Sequence, residues 1–324
     1  MIPSPPTTRA RRRPGLRRAL EWVFAGGTGA LAVLSALVFV AILAVMVHNS
    51  YPTILHYGPG FITGTVWDPV TDVYTGAYPF ILGTLVTSAI ALLLGVPISL
   101  GIAIFLSERV RGWIATTAAA GVELLAAIPS VVYGLWAFVV LVPFMRTSVE
   151  PALHTWLGGV PGLGTLFPAT HSGTDVLTAG IILSVMLIPT VSAVSRESMA
   201  QVPGAQREAA LALGATHWET TRTAVLPYAR TGILGAIILG LGRALGETMA
   251  VLMTIGNSDA VPTSLFSQGQ SIASAIANEF TNASPKEASA LVEAAVLLMG
   301  ITVLVNVIAR LMVRGLFRAP EVRA

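Results

Sequence analysis

Long apolar runs separated by short polar stretches dominate the chain from Trp22 onward. A helix needs roughly 20 apolar residues to cross a bilayer. Six runs approach or exceed that length: Trp22–Val47, Pro79–Leu106, Trp113–Val142, Leu177–Val194, Thr231–Ile255 and Ala290–Val313. The pattern predicts an all-α integral membrane protein with six transmembrane helices. Polar residues interrupt several runs. The second carries Thr84, Thr87, Ser88 and Ser99 around Pro97. The third carries Glu123, Pro129, Ser130 and Tyr133, and the fourth Ser184 and Pro189-Thr190. Pro129 predicts a kink or break, because proline removes a helical hydrogen bond and frees a carbonyl that needs a partner. The hydroxyl residues otherwise suit helix–helix packing.

Composition supports the membrane reading. Of 324 residues, 54% are hydrophobic and 11% charged, with mean hydropathy +0.76, whereas soluble domains carry about 25% charge. Cysteine is absent, which excludes disulfides, thiolate metal sites and a cysteine nucleophile. The cations fall unevenly. Six arginines precede Glu21. Arg109 and Arg111 lie between the second and third runs, and Arg196, Arg207, Arg222 and Arg230 between the fourth and fifth. Arg310, Arg314, Arg318 and Arg323 close the chain, and only Arg146 and Lys286 fall on the other side. By the positive-inside rule both termini are cytoplasmic. The expected organisation is a basic cytoplasmic tail (1–21), a first span with an extracytoplasmic loop (22–78), a transmembrane domain (79–313) containing a cytoplasmic loop (196–230), and a cytoplasmic C-terminal tail (314–324). A secretory signal is the alternative for the basic start. The following run is too long for a signal's apolar core, and no small-residue cleavage site ends it. The histidines at 48, 56, 154, 171 and 217 fall in expected loops or at span ends and read as solvated.

Two stretches carry candidate chemistry. The first is Gly240-Leu241-Gly242-Arg243-Ala244-Leu245-Gly246-Glu247-Thr248, inside the fifth run. A charge near mid-membrane costs at least about 2.5–3.5 kcal/mol on insertion scales, so such residues mark pathways. On a continuous helix Arg243 and Glu247 share a face. They read either as a self-neutralising ion pair or as part of a translocation path, with small neighbours that permit close helix or ligand approach. The second stretch is the 196–230 loop. Pro203 suits a helix start, Gly214 a helix end, and Thr216 with Glu219 a capping box. The expectation is a helix–Gly–helix hairpin ending near Pro227. A DNA-binding helix-turn-helix has the same local shape, but Glu208 and Glu219 offset the arginines and the loop is tethered between spans, so the basic footprint is missing.

Glu208-Ala209-Ala210, Gly214 and then Val225-Leu226-Pro227 resemble the EAA loop of bacterial ABC-importer permeases, with Ala224 where that family favours isoleucine. Glu123 to Trp136 resembles the third span of phosphate-importer permeases and Gly242 to Ala250 their fifth. Trp67-Asp68-Pro69 and Ile276 to Phe280 are closer to the PstC type than to its PstA-like partner. The resemblance covers most of residues 60–313. It implies a type I ABC-importer permease fold in a bacterial inner membrane. It further implies a substrate path through Arg243, Glu247, Glu123, Thr248 and Ser130, and coupling to an ATPase through Glu208, Ala209, Ala210, Gly214, Leu226 and Pro227. The implied partners are a PstA-like permease, two copies of a PstB-like ATPase, a PstS-like extracytoplasmic phosphate-binding protein, phosphate and membrane lipid, but no nucleic acid. The chain has no G-x-x-x-x-G-K-[ST] loop, so ATP and Mg belong to the partner ATPase. No metal site or catalytic residue is expected.

Arginine's planar fork of donors matches phosphate oxygens. Phosphate at neutral pH still carries a proton that Glu247 or Glu123 could accept as a hydrogen bond. Conduction requires weak binding along the path, which places high affinity in the external binding protein. Trp67, Tyr74 and Tyr78 are candidate docking residues or, with more weight, interfacial anchors. Two other readings remain: a permease for another oxyanion such as molybdate or sulfate, and a membrane enzyme acting on lipid phosphates. No H-E-x-x-H or G-x-S-x-G motif supports the enzyme.

Overall fold

The computed structural model describes residues 14–110 and 112–316, so most of the basic tail, Arg111 and most of the C-terminal tail lie outside the described residues. The chain forms two units, Met1–Asn49 and Ser50–Ala324. Helix α1 (Pro14–Tyr57) supplies the first unit and enters the second. Its side chains over 21–49 are mostly apolar and almost all exposed, as a helix suited to hydrocarbon surroundings would be.

The second unit is built from α2 (Tyr78–Arg109), α3 (Trp113–Ala126), α4 (Ser130–Leu157), α5 (Val176–Ala200), α6 (Gly204–Ala212), α7 (His217–Leu245), α8 (Met249–Thr254), α9 (Ile272–Glu279) and α10 (Pro285–Leu316). Together with α1, the helices α2, α4, α5, α7 and α10 are long and apolar enough to span a membrane. The most enclosed is α5, which packs chiefly on α2 and α7. Ala91, Leu183, Leu187, Ala244 and Val251 form the central core between these helices and α8. A second cluster of Ala103, Met199, Val225 and Ile233 lies at the end carrying α6.

Two expected spans are redrawn. The run Trp113–Val142 is not one helix. Pro129 adopts ψ 141° and precedes α4, while α3 stops at Ala126. Proline lacks the N–H that a helix interior needs and drives the residue before it toward extended backbone, so a break is favoured at this position. The Tyr133 hydroxyl spans the gap by donating to the Leu125 carbonyl at 2.9 Å. The spanning segment is therefore Ser130–Leu157, and it consumes the first half of the expected 143–176 loop. His154 consequently sits inside a span, with Nδ1 2.8 Å from the Phe167 carbonyl oxygen.

Three prolines lie inside long helices without ending them. Pro143, Pro151 and Pro227 each follow a five-residue π segment: Ala137–Leu141, Met145–Val149 and Thr221–Val225. In each case the carbonyl four residues before the proline is the middle residue of the π segment. The proline ring would clash with that carbonyl in an α-helix. The wider π turn moves the carbonyl aside, and the N–H groups of Val142, Glu150 and Leu226 bond five residues back. The expectation that Pro227 ends the hairpin is thus overturned, and α7 runs unbroken from the hairpin into the membrane.

Opposite the hairpin, strands β1 (Trp67–Asp68) and β2 (Val73–Tyr74) form a small antiparallel ladder. Trp67 and Tyr74 are 5% and 2% exposed, in a core with Phe61, Phe80 and Leu291. They are not surface anchors; Tyr78 alone of the three stays exposed. Trp67 can be buried because its Nε1–H donates to Glu279 Oε2 at 2.8 Å. The segment between α8 and α10 also folds inward, and the Ile272 N–H donates to Thr84 Oγ1 at 2.9 Å. There Gln270 Nε2 donates to both Asp259 and Glu279, at 2.6 and 2.8 Å. Burial raises both carboxyls, Glu279 to about 7.

Candidate functional site

The stretch 240–248 is where the fifth run breaks. Helix α7 stops at Leu245, Gly246 caps it, and α8 restarts at Met249. Non-helical backbone at membrane depth persists only where protein or a water-filled cavity surrounds it. Protein packs closely against α8 here. Gly134 of α4 seats α8 so closely that a Cβ there would lie 3.0 Å from Ala250 Cα and 3.2 Å from the Met249 carbonyl oxygen. Just before the break, an open groove of about 1060 Å³ runs between α7 and α10, lined by Gly242 and Arg243 but by none of residues 246–248.

The break separates Arg243 from Glu247, which do not share a helix face. Arg243 is half-buried and lines the groove. Its Nη1 donates to Thr190 Oγ1 at 3.2 Å, just past Pro189 of α5. Among the described residues no carboxylate lies within 4 Å of it. The self-neutralising pair is therefore not formed. Glu247 instead turns back on its own loop, and its Oε1 accepts from the Thr248 N–H at 3.2 Å. The Thr248 hydroxyl donates to the Gly246 carbonyl at 3.3 Å. Ser130 is the first residue of α4, one turn before Tyr133, whose hydroxyl is bonded to the Leu125 carbonyl.

Glu123 is not brought to Arg243. It pairs with Arg196 at 2.8 Å, six residues beyond Thr190 toward the hairpin, or about 9 Å along α5. The α3–α4 break accounts for this, since it frees Glu123 from the helix that carries Ser130.

The hairpin forms largely as expected. Gly214 adopts φ +86°; its N–H bonds the Leu211 carbonyl at 2.9 Å, and the Ala215 N–H bonds that of Ala210 at 3.2 Å. This is the Schellman pattern, which favours glycine at the left-handed position. Thr216 and Glu219 form the full capping box that opens α7. Glu208 and Ala209 are exposed, Ala210 is half-buried, and Leu213 and Trp218 project as apolar knobs. Leu226 packs into the cluster beneath, while Pro227 faces out. Sequence reasoning missed Arg207. Its Nη2 and Nε reach Glu108 at 3.0 and 3.3 Å, and Nη1 and Nη2 donate to the carbonyls of Val202 and Met199 at 2.6 and 2.8 Å. It ties α6 to the ends of α2 and α5. The only sequence signal was a lone acid, Glu108, facing a cation across the expected cytoplasmic side.

Residues 95–318 match the family model for the binding-protein-dependent transport system inner membrane component. A phosphate transport system permease protein PstC from Haemophilus influenzae is 45% identical over 294 residues, 91% of this chain and 93% of its own. The namesake from Mesorhizobium japonicum is 40% identical over 95% of this chain and 94% of its own. PstC 1 of Mycobacterium tuberculosis is 39% identical over 93% and 94%. Among solved structures, an inward-facing MetNI methionine ABC transporter aligns with TM-score 0.54 at 19% identity, covering 78% of this chain and all of that one. A bacterial ABC transporter that imports alginate aligns with TM-score 0.52 at 16% identity, covering 93% of this chain. These structures share the fold. With sequence identity at this level over nearly the whole length, the chain belongs to the binding-protein-dependent transport permeases, within the group of PstC phosphate-transport permease proteins.

Proposed function

We propose that the chain is one permease subunit of an ATP-driven inorganic phosphate importer in a bacterial inner membrane. A half-buried arginine without a carboxylate partner, opening on a groove and rooted in the same helix as the hairpin, carries this reading. Such an arginine selects an oxyanion by charge and by its planar donor fork. The names of the relatives supply which oxyanion. Glu247 presents its second carboxylate oxygen to the proton that phosphate keeps at neutral pH and sulfate lacks. Thr248, next in the chain, and Ser130, at the start of α4, add hydroxyls to the path in this reading.

The hairpin faces the cytoplasm in this reading, and both chain ends lie on its side. Glu208, Ala209, Ala210 and Gly214 dock on a PstB-like ATPase dimer that holds ATP and Mg. Leu226 and Pro227, inside α7, carry movement of that docking surface onward along the helix. A PstA-like permease completes the path, and a PstS-like protein delivers phosphate from outside. ATP binds the two conformations unequally and so shifts their populations. The shift reaches Arg243 along one continuous helix, 26 residues or about 39 Å from His217.

The test is uptake of labelled phosphate by the complete transporter in proteoliposomes, with sulfate and molybdate as competitors. Arg243→Ala is expected to abolish uptake. Uptake at the wild-type rate would exclude Arg243 from the path, and equal competition by sulfate would favour a general oxyanion permease.

A further inference from the structure

The groove that receives Arg243 holds a second cation. Arg310 of α10 lines it, as do Asn306, Thr231, Gly235 and Gly242. At Gly235 a Cβ would meet nothing within 4 Å, and at Gly242 only Asn306 Nδ2 at 4.0 Å. The two glycines therefore leave the α7 wall of the groove open to a ligand. Asn306 lies directly across from Gly242, beside Arg243. One Asn306 Nδ2 hydrogen is spent on the Thr302 carbonyl at 2.8 Å, and the amide has a second hydrogen to offer. Arg310 stands one turn further along α10, about 6 Å from Asn306. Among the described residues neither arginine has a carboxylate within 4 Å. A groove with two guanidinium groups, an amide and no acid is an anion site by charge.

We propose that Arg310 and Asn306 form a second phosphate-oxyanion station, to which the anion passes from Arg243. The inference rests on the path reading above and extends it to the helix that does not carry the hairpin. Spaced weak sites permit movement where one strong site would trap the ion. Arg310 also lies toward the end of α10 nearer the chain terminus, with its side chain exposed. The same guanidinium could instead snorkel to lipid headgroups. The ligand chemistry is the same phosphate oxyanion in either case, so the experiment must separate the two sources.

The complete transporter is reconstituted, and phosphate uptake is measured per ATP hydrolysed. Arg310→Gln should lower that ratio about tenfold, the loss of one charge-assisted hydrogen bond, and Arg310→Lys should recover part of it. Asn306→Asp sets a negative charge between the two arginines and should lower the ratio at least as much. An unchanged ratio in Arg310→Gln and Asn306→Asp, with uptake abolished in Arg243→Ala, overturns the second station and leaves the path intact. Normal uptake in Arg243→Ala overturns both. Vesicles of pure phosphatidylcholine and vesicles containing phosphatidylglycerol separate the sources. A defect equal in both supports transported phosphate; a defect present only with the anionic lipid assigns Arg310 to headgroups and refutes the station.

Discussion

Removing the Arg207 side chain should release α6 from the membrane domain. The guanidinium makes four contacts between 2.6 and 3.3 Å, two to Glu108 and two to backbone carbonyls. Side-chain exposure is 25% for Arg207 and 12% for Glu108, between the exposed limit of about 0–1 kcal/mol and the buried limit of about 3–5 kcal/mol for breaking an ion pair. A value of about 2–3 kcal/mol follows, or about 30- to 150-fold in the opening equilibrium. Nine-residue α6 cannot hold itself together once undocked, since isolated helices shorter than about 12 residues are marginal. Amide hydrogen exchange over Gly204–Ala212 should therefore quicken about 30- to 150-fold in Arg207→Ala. Glu108→Ala should produce part of the same effect, and the double variant should fall short of additivity by about 1–2 kcal/mol. Exchange within threefold of wild type would refute the clamp, and strict additivity would refute the pairing.

Two further outcomes concern stability. Gly134→Ala drives a Cβ into Ala250, Met249 and the Met253 sulfur at 2.8–3.2 Å. It should cost about 1–3 kcal/mol as an overpacked contact, read as a lower unfolding temperature of the detergent-solubilised protein. The Glu279 carboxyl is raised by burial from 4.5 to about 7. A raised folded-state value means that its contribution is complete below about pH 4.5 and is lost as pH rises through about 7. Thermal stability should therefore decline across that window in wild type and flatten in Glu279→Gln; an unchanged slope would remove Glu279 as the cause.

Hydrophobic length gave the number of membrane helices and placed four of the six, because the bilayer imposes a minimum length on every span. Local capping rules located the hairpin, because Gly214 and the Thr216–Glu219 box act within a single turn. What escaped was non-local. An i,i+4 argument paired Arg243 with Glu247, since Gly246, which caps the helix at Leu245, read as one more small packing residue among Gly240 and Gly242. Thr190, the actual partner of Arg243, lies 53 positions away, and Arg196, the partner of Glu123, 73. Pro227 read as a terminator because the π turn that accommodates it depends on helix continuity beyond the proline. Trp67 and Tyr74 read as surface residues because the acid that satisfies the tryptophan comes from α9, more than 200 residues on.

The contacts of α7 with α5 restrict how it can move. A Cβ on Gly232 would strike Ser198 Cβ at 2.6 Å, and one on Gly240 would strike Val191 Cγ2 at 2.8 Å. These two bearing points lie about 12 Å apart along the axis. A shaft held at two points resists tilting and turns most easily about its own length. The α6 arm, set off to one side of the shaft by the Gly214 turn and tied by Arg207 to the ends of α2 and α5, becomes a crank once that tie opens. A turn of about 20° sweeps a group about 5 Å from the axis through nearly 2 Å. That is enough to carry Arg243 out of reach of Thr190 with no lengthening, bending or melting of the helix between them.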